Sequence, residues 1–147
     1  MAYANQSVIA LAGDVSKGNF ANSKAVHYLN EGENPLVAGR FVALSPKGVK
    51  EVAKADDVLA GVVVRSDVKG DTPKGLGVDV MHIGTADGIW VEVAKGETVA
   101  RGDKVYVLAA TAGDKKAGQI VKTKTGAIET KFHVINVAEG IAEITLL

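Results

Sequence analysis

Cysteine is absent from the 147 residues, which removes disulfides, a thiol nucleophile and thiolate metal sites. No charge of either sign is in excess, because 17 Lys+Arg face 17 Asp+Glu. The balance is local as well as global. Residues 1–40 carry 3 basic and 3 acidic groups, residues 41–95 carry 7 and 8, and residues 96–147 carry 7 and 6. No segment therefore holds the surplus of Lys and Arg that neutralising a phosphate backbone requires, and no nucleic-acid partner is expected. No apolar run approaches the roughly 20 residues of a membrane-spanning helix, so no membrane partner is expected either. The run Val8 to Ala12 is too short for a secretion-signal core, and no basic leader precedes it. A soluble chain, not exported by that route, is the expectation.

Catalytic and cofactor signatures are missing too. Gly13 to Gly18 has phosphate-loop glycine spacing, but Asn19 and Phe20 stand where lysine and a hydroxyl residue are needed. Gly75-Leu-Gly77 lacks a third glycine, and there is no Gly-x-Ser-x-Gly elbow. His27, His82 and His133 are far apart in sequence, whereas zinc sites usually show local ligand pairs; a half-buried strand histidine is the expected role of His82. Asp56 and Asp57 are adjacent, and neighbours on a strand point to opposite faces, so a solvated turn or helix start suits them better than a shared proton. Arg101-Gly-Asp103 matches an integrin-binding tripeptide, yet it stands where a turn before a strand calls for Gly-Asp. Asn5-Gln-Ser7 matches a glycosylation acceptor and has no bearing on a chain that is not secreted. Trp90 and Tyr106 fall in strand-like runs, where packing is the default. No catalytic residue, cofactor or metal is expected.

What is present is valine and glycine. There are 22 valines against 9 leucines, with 17 glycines. Valine is stiff at its first side-chain torsion and packs well on a pleated surface, so the composition reads as β structure with many turns. Turn signals recur about every ten residues from Leu36 onward. Phe41–Leu44 and Val49–Val52 flank Ser45-Pro-Lys-Gly48 as a hairpin, and the apolar run Leu59–Arg65 reads as a strand buried on both faces. Further strands are expected at 78–83, 89–93, 105–107, 119–123, 132–138 and 141–146. The stretch 48–58 is open to a short helix, since Val49, Val52 and Ala53 have helical spacing. The expected fold is an all-β barrel or sandwich over residues 36–147.

Residues 1–35 differ from the rest. Apart from a short strand at Ala25–Leu29, they read as an extended N-terminal arm closed by the polar turn Asn30–Pro35. The arm's Tyr3, Val8, Ile9, Leu11 and Phe20 are too sparse to build a core of their own. They are the expected partner-contact residues, with Val8 to Leu11 adding a strand to a neighbouring sheet edge.

Four segments carry a wider pattern: Val37-Ala-Gly-Arg-Phe-Val42, Ala60-Gly-Val-Val-Val64, Gly88-Ile-Trp-Val-Glu-Val93 and Gly102-Asp-Lys-Val-Tyr-Val107. The pattern resembles the head decoration, or cement, proteins of tailed bacteriophages. That resemblance implies a structural virion protein made in the host cytoplasm, which binds the outer capsid surface as an oligomer and reinforces it. The implied partners are the major capsid protein and the chain itself, a trimer before a dimer because shells present local three-fold sites. The alternative is a cytoplasmic β-barrel binding or carrier-like module, since Gly-Asp-x-Val turns also occur in lipoyl and biotinyl barrels. Those carriers present a lysine at an apolar-flanked hairpin tip, and Lys104 lies inside a strand instead.

Overall fold

In a computed structural model the described residues are 10–17, 25–66, 70–82 and 88–145, and they form eleven strands. These are β1 (Val15–Lys17), β2 (Ala25–Leu29), β3 (Phe41–Leu44), β4 (Val49–Glu51), β5 (Leu59–Val63), β6 (Gly77–His82), β7 (Gly88–Glu92), β8 (Lys104–Leu108), β9 (Ile120–Val121), β10 (Ala127–Ala138) and β11 (Ile141–Ile144). No helix occurs among the described residues. The strands make two antiparallel sheets, ordered β1-β7-β11-β10-β8-β9 and β2-β6-β5-β3-β4, in a sandwich-like arrangement. The all-β expectation holds.

Side-chain alternation sends the five-stranded sheet into two cores at once. Phe41 and Ala43 of β3, Val62 of β5 and Met81 of β6 pack against Ile89, Val91, Val105, Val107, Phe132 and Ile144 of the other sheet. Their neighbours Val42, Ala60, Val63, Val78 and Val80 turn the other way, into a second core completed by Leu36 and Val49. The sheet curls around that second core until Asn30, just after β2, bridges Val49 at the start of β4. The six-stranded sheet makes a similar closure where Val93, just after β7, bridges Ile120 of β9. Closure matters because open sheet edges are templates for unwanted pairing.

Gly39 joins the two layers. Its N–H donates to the Val63 carbonyl and its carbonyl accepts from the Glu92 N–H, each at 2.9 Å. It has φ +83°, and a Cβ there would lie 2.4 Å from that of Ala12. Only glycine fits this junction.

Residues 48–58 correct the helical option. Val49 pairs with Leu44 and bridges Asn30, which holds 49–51 extended. The Asp57 carboxylate accepts from the Ala53 and Lys54 N–H groups at 2.8 and 3.0 Å, making a turn of the rest. β10 begins at Ala127, five residues before the expected start, because Thr130 occupies a core-facing step of its alternation. Thr130 is buried, and its hydroxyl donates to the Val105 carbonyl at 2.6 Å.

Glu97 ties the chain after β7 to the segment around β9. Its carboxylate lies 2.8 Å from Lys115 Nζ and accepts from the Lys122 N–H at 2.8 Å. The Lys115 ammonium, then the Lys122 amide, hold the Glu97 carboxyl below its ordinary 4.5. With the folded value depressed, this stabilisation is present above the ordinary value and is lost as pH falls through the folded one. Glu97→Gln is expected to cost about 0.5–1 kcal/mol at neutral pH, with the difference closing in acid, as pH falls below the carboxyl's ordinary 4.5 and through its depressed folded value. Urea unfolding of both proteins at neutral pH and in acid checks this; a gap of unchanged size in acid would refute it.

Candidate interaction surface

Among the described residues no three His, Cys, Asp or Glu side chains are grouped to hold a metal, and no helix is long and apolar enough to cross a membrane. The histidines remain dispersed. His27 on β2 is exposed, with Nδ1 2.8 Å from Asp79 Oδ1. His82 ends β6, half-buried, with its Nε2 against the Tyr28 hydroxyl and its ring stacked on the tyrosine at 5.5 Å. His133 lies in the other sheet, on β10. Arg101-Gly-Asp103 is a turn before β8, and Asp103 is committed within it, accepting from the Ala100 N–H at 2.8 Å and from Lys122 Nζ at 2.7 Å. Lys104 lies in β8 with Nζ 2.6 Å from Glu129 Oε1, well away from a hairpin tip.

Of the expected contact residues, Leu11 is exposed at 45%. Tyr3, Val8, Ile9 and Phe20 lie outside the described residues. Residues 12–14 lead into β1, which pairs with β7, and the Gly13 N–H donates to the Trp90 carbonyl at 2.7 Å.

A group of exposed aliphatic residues was not anticipated from the sequence. Leu29, Leu44, Val58 and Leu76 follow one another around the seam where β2 meets β4. The Leu76 carbonyl accepts from the Asn30 N–H, Gly48 sits tight on Leu29, Leu44 pairs with Val49, and the Leu44 N–H donates to the Val58 carbonyl. Val58 is the most open, at 65%. Single exposed leucines are ordinary, and these four project to different sides of the seam: Leu44 shares the side of its partner Val49 in the second core, whereas Leu29 lies on the side opposite Tyr28. The sequence places Leu76 in a loop and Leu29 in the short strand of the N-terminal segment, and nothing local to them says that they meet at one seam.

A second unforeseen feature lies on the outer face of the six-stranded sheet. Ile89, Val91, Ala142 and Ile144 point into the inter-sheet core, so Trp90 and Glu143, which alternate with them and pair across β7 and β11, point away from it. Both are nonetheless only 5% exposed. They line a cleft of about 700 Å³ with Ser16, Arg65 and Asn136.

The sequence profile of the family described as XM1 gp53 minor capsid protein matches residues 1–146. The chain belongs to that family. Membership makes it a structural protein of a phage virion, associated with the capsid. Among solved structures, a chain of the capsid of Myoviridae phage XM1 is similar, with a TM-score of 0.70 over 99% of this chain and 98% of that one. At 16% identity this likeness speaks for the fold. No curated protein sequence matches. The resemblance carried by Val37–Val42, Ala60–Val64, Gly88–Val93 and Gly102–Val107 thus pointed to the right class of protein. Gly39 shows the physical reason, since that motif glycine sits where the two sheets join.

Proposed function

We propose that this virion protein is a decoration protein: it binds the outer surface of the capsid shell as a homo-oligomer, trimer before dimer, and cements it. It is made in the host cytoplasm and acts at the capsid surface without catalysis or cofactor. The observation that carries this reading is the match of residues 1–146 to a minor capsid protein family. An oligomer touching several capsomers gains from effective concentration where one small protomer would hold weakly.

In this reading the arm supplies Tyr3, Val8, Ile9, Leu11 and Phe20 as contacts to the major capsid protein, with Val8 to Leu11 adding a strand to its sheet edge, whereas Ala25–Leu29 and Asn30 belong to the folded sheet. The test is truncation of residues 1–9, which leaves the paired stretch from Gly13 through β1 in place. The truncated protein is expected to fold with an unchanged urea midpoint. Its affinity for shells stripped of decoration should fall by at least about a hundredfold, a loss of a few kcal/mol. Co-sedimentation measures the affinity, and light scattering gives the oligomer size. Undiminished binding would remove the arm from the interface, and a full-length chain that fails to sediment with shells would overturn the decoration reading.

A further inference from the structure

The cleft on the outer face of the six-stranded sheet holds a charge that nothing among the described residues answers. Asp14 and Arg65 in its wall are paired with each other, the guanidinium Nε lying 3.9 Å from Asp14 Oδ1 and donating to the Ala12 carbonyl at 3.3 Å. Glu143 has no hydrogen bond or ion pair to its carboxylate among the described residues, although it is buried. Ser16 Oγ is also buried and without a partner. Both oxygens overhang Gly88: a Cβ placed on that residue would meet Ser16 Oγ at 2.6 Å and Glu143 Oε2 at 3.5 Å. Gly88 has no positive φ that would require glycine; a side chain there would collide with Ser16 Oγ. Trp90, Val15 and Val64 supply apolar walls.

Leaving a carboxylate buried and unpaired is costly, and the cost is recovered when a cation meets it. An ammonium is compact and strongly hydrated. A guanidinium is planar, sheds water more readily, offers forked donors to two neighbouring oxygens and packs against an indole.

We propose that this cleft receives an arginine side chain from a neighbouring shell subunit, with the two oxygens of the Glu143 carboxylate as acceptors and Trp90 as the wall. The identity of the donor rests on the decoration reading, whereas the chemistry of the cleft does not. Arginine insertion turns a general affinity for the shell into a defined register on it, because a buried ion pair tolerates little displacement.

Trp90 is the only tryptophan in the chain, so its emission reports this cleft alone. N-acetyl-arginine amide titrated into the intact protein is expected to shift that emission saturably, while the uncharged N-acetyl-norleucine amide does not. Glu143→Gln keeps the shape and removes the charge, and it is expected to weaken the response at least about tenfold. On stripped shells Glu143→Gln should bind at least about tenfold more weakly at low salt, with the difference shrinking as salt rises. Equal responses to the two amides, or a Glu143→Gln protein that matches the parent in titration and on shells, would overturn the proposal. Failure of the parent protein to bind shells would instead overturn the decoration reading and with it the shell origin of the arginine, and the titration would still decide what the cleft accepts.

Discussion

Replacing Phe41 by alanine is expected to lower the unfolding free energy by about 3–5 kcal/mol, enough to remove much of the stability of a domain this size. Phe41 is 1% exposed and begins β3, where its ring lies 6.4 Å from that of Phe132 on β10, nearly parallel at 12°. The two rings are a direct contact between the sheets, so truncation removes packing on both sides and leaves a cavity that neither sheet can close alone. Its backbone is occupied too, the N–H donating to the Gly118 carbonyl at 2.9 Å, and this limits relaxation into the space. The urea midpoint measures the loss. Phe132→Ala should be less than additive with it, since the two substitutions open one shared cavity. A loss below about 1 kcal/mol would mean that the sheets do not depend on this contact.

Asn30→Ala is expected to cost about 2–4 kcal/mol, which is large for a polar residue after a strand end. Asn30 is fully buried at 0% exposure. Its Nδ2 donates to the Asn34 carbonyl at 3.1 Å and to the Thr72 carbonyl at 2.9 Å, and its Oδ1 accepts from the Gly32 N–H at 3.0 Å. Its own backbone N–H donates to the Leu76 carbonyl. The side chain therefore ties the loop after β2 to the loop before β6, while the backbone of the same residue forms the seam where the five-stranded sheet closes. Alanine takes the partner from the Asn34 carbonyl and the Gly32 N–H and leaves a cavity at a fully buried position, while the Thr72 carbonyl keeps the Leu36 N–H. Asn34→Ala is the control, because its side chain makes an exposed bond to Glu51 and its carbonyl survives the change. That variant should lose less than about 0.5 kcal/mol in the same urea experiment. Equal losses for the two would refute the special role of Asn30.

Much of the strand pattern was legible because its cause is local. Val, Ile and Phe at period two between glycine-containing turns specify extended chain wherever it lies. The hairpin Phe41–Glu51, the doubly buried Leu59–Val63 and the short Ala25–Leu29 follow from that rule alone. β1 was missed since Val15-Ser-Lys17 is too short to carry a period, and it becomes a strand only by pairing with β7. Thr130 hid the start of β10 because a buried threonine reads as an outward step unless its partner, the Val105 carbonyl, is known.

The candidate contact surface was far less legible. Glu143 alternates with Ala142 and Ile144 and so reads as a solvated position. Its burial depends on residues around the cleft, Ser16 and Arg65 among them, that are distant in sequence from β11. Asn30 reads as the first residue of a polar turn, and the closure of the five-stranded sheet buries it instead.

By itself the sequence determined the all-β class, the absence of recognisable catalytic motifs and the resemblance to phage head proteins, since composition, turn chemistry and strand period act between near neighbours. Only the tertiary structure decided which polar groups are enclosed and which apolar ones are left at the surface. Burial is a property of what packs over a residue, and here the covering elements lie tens of residues away.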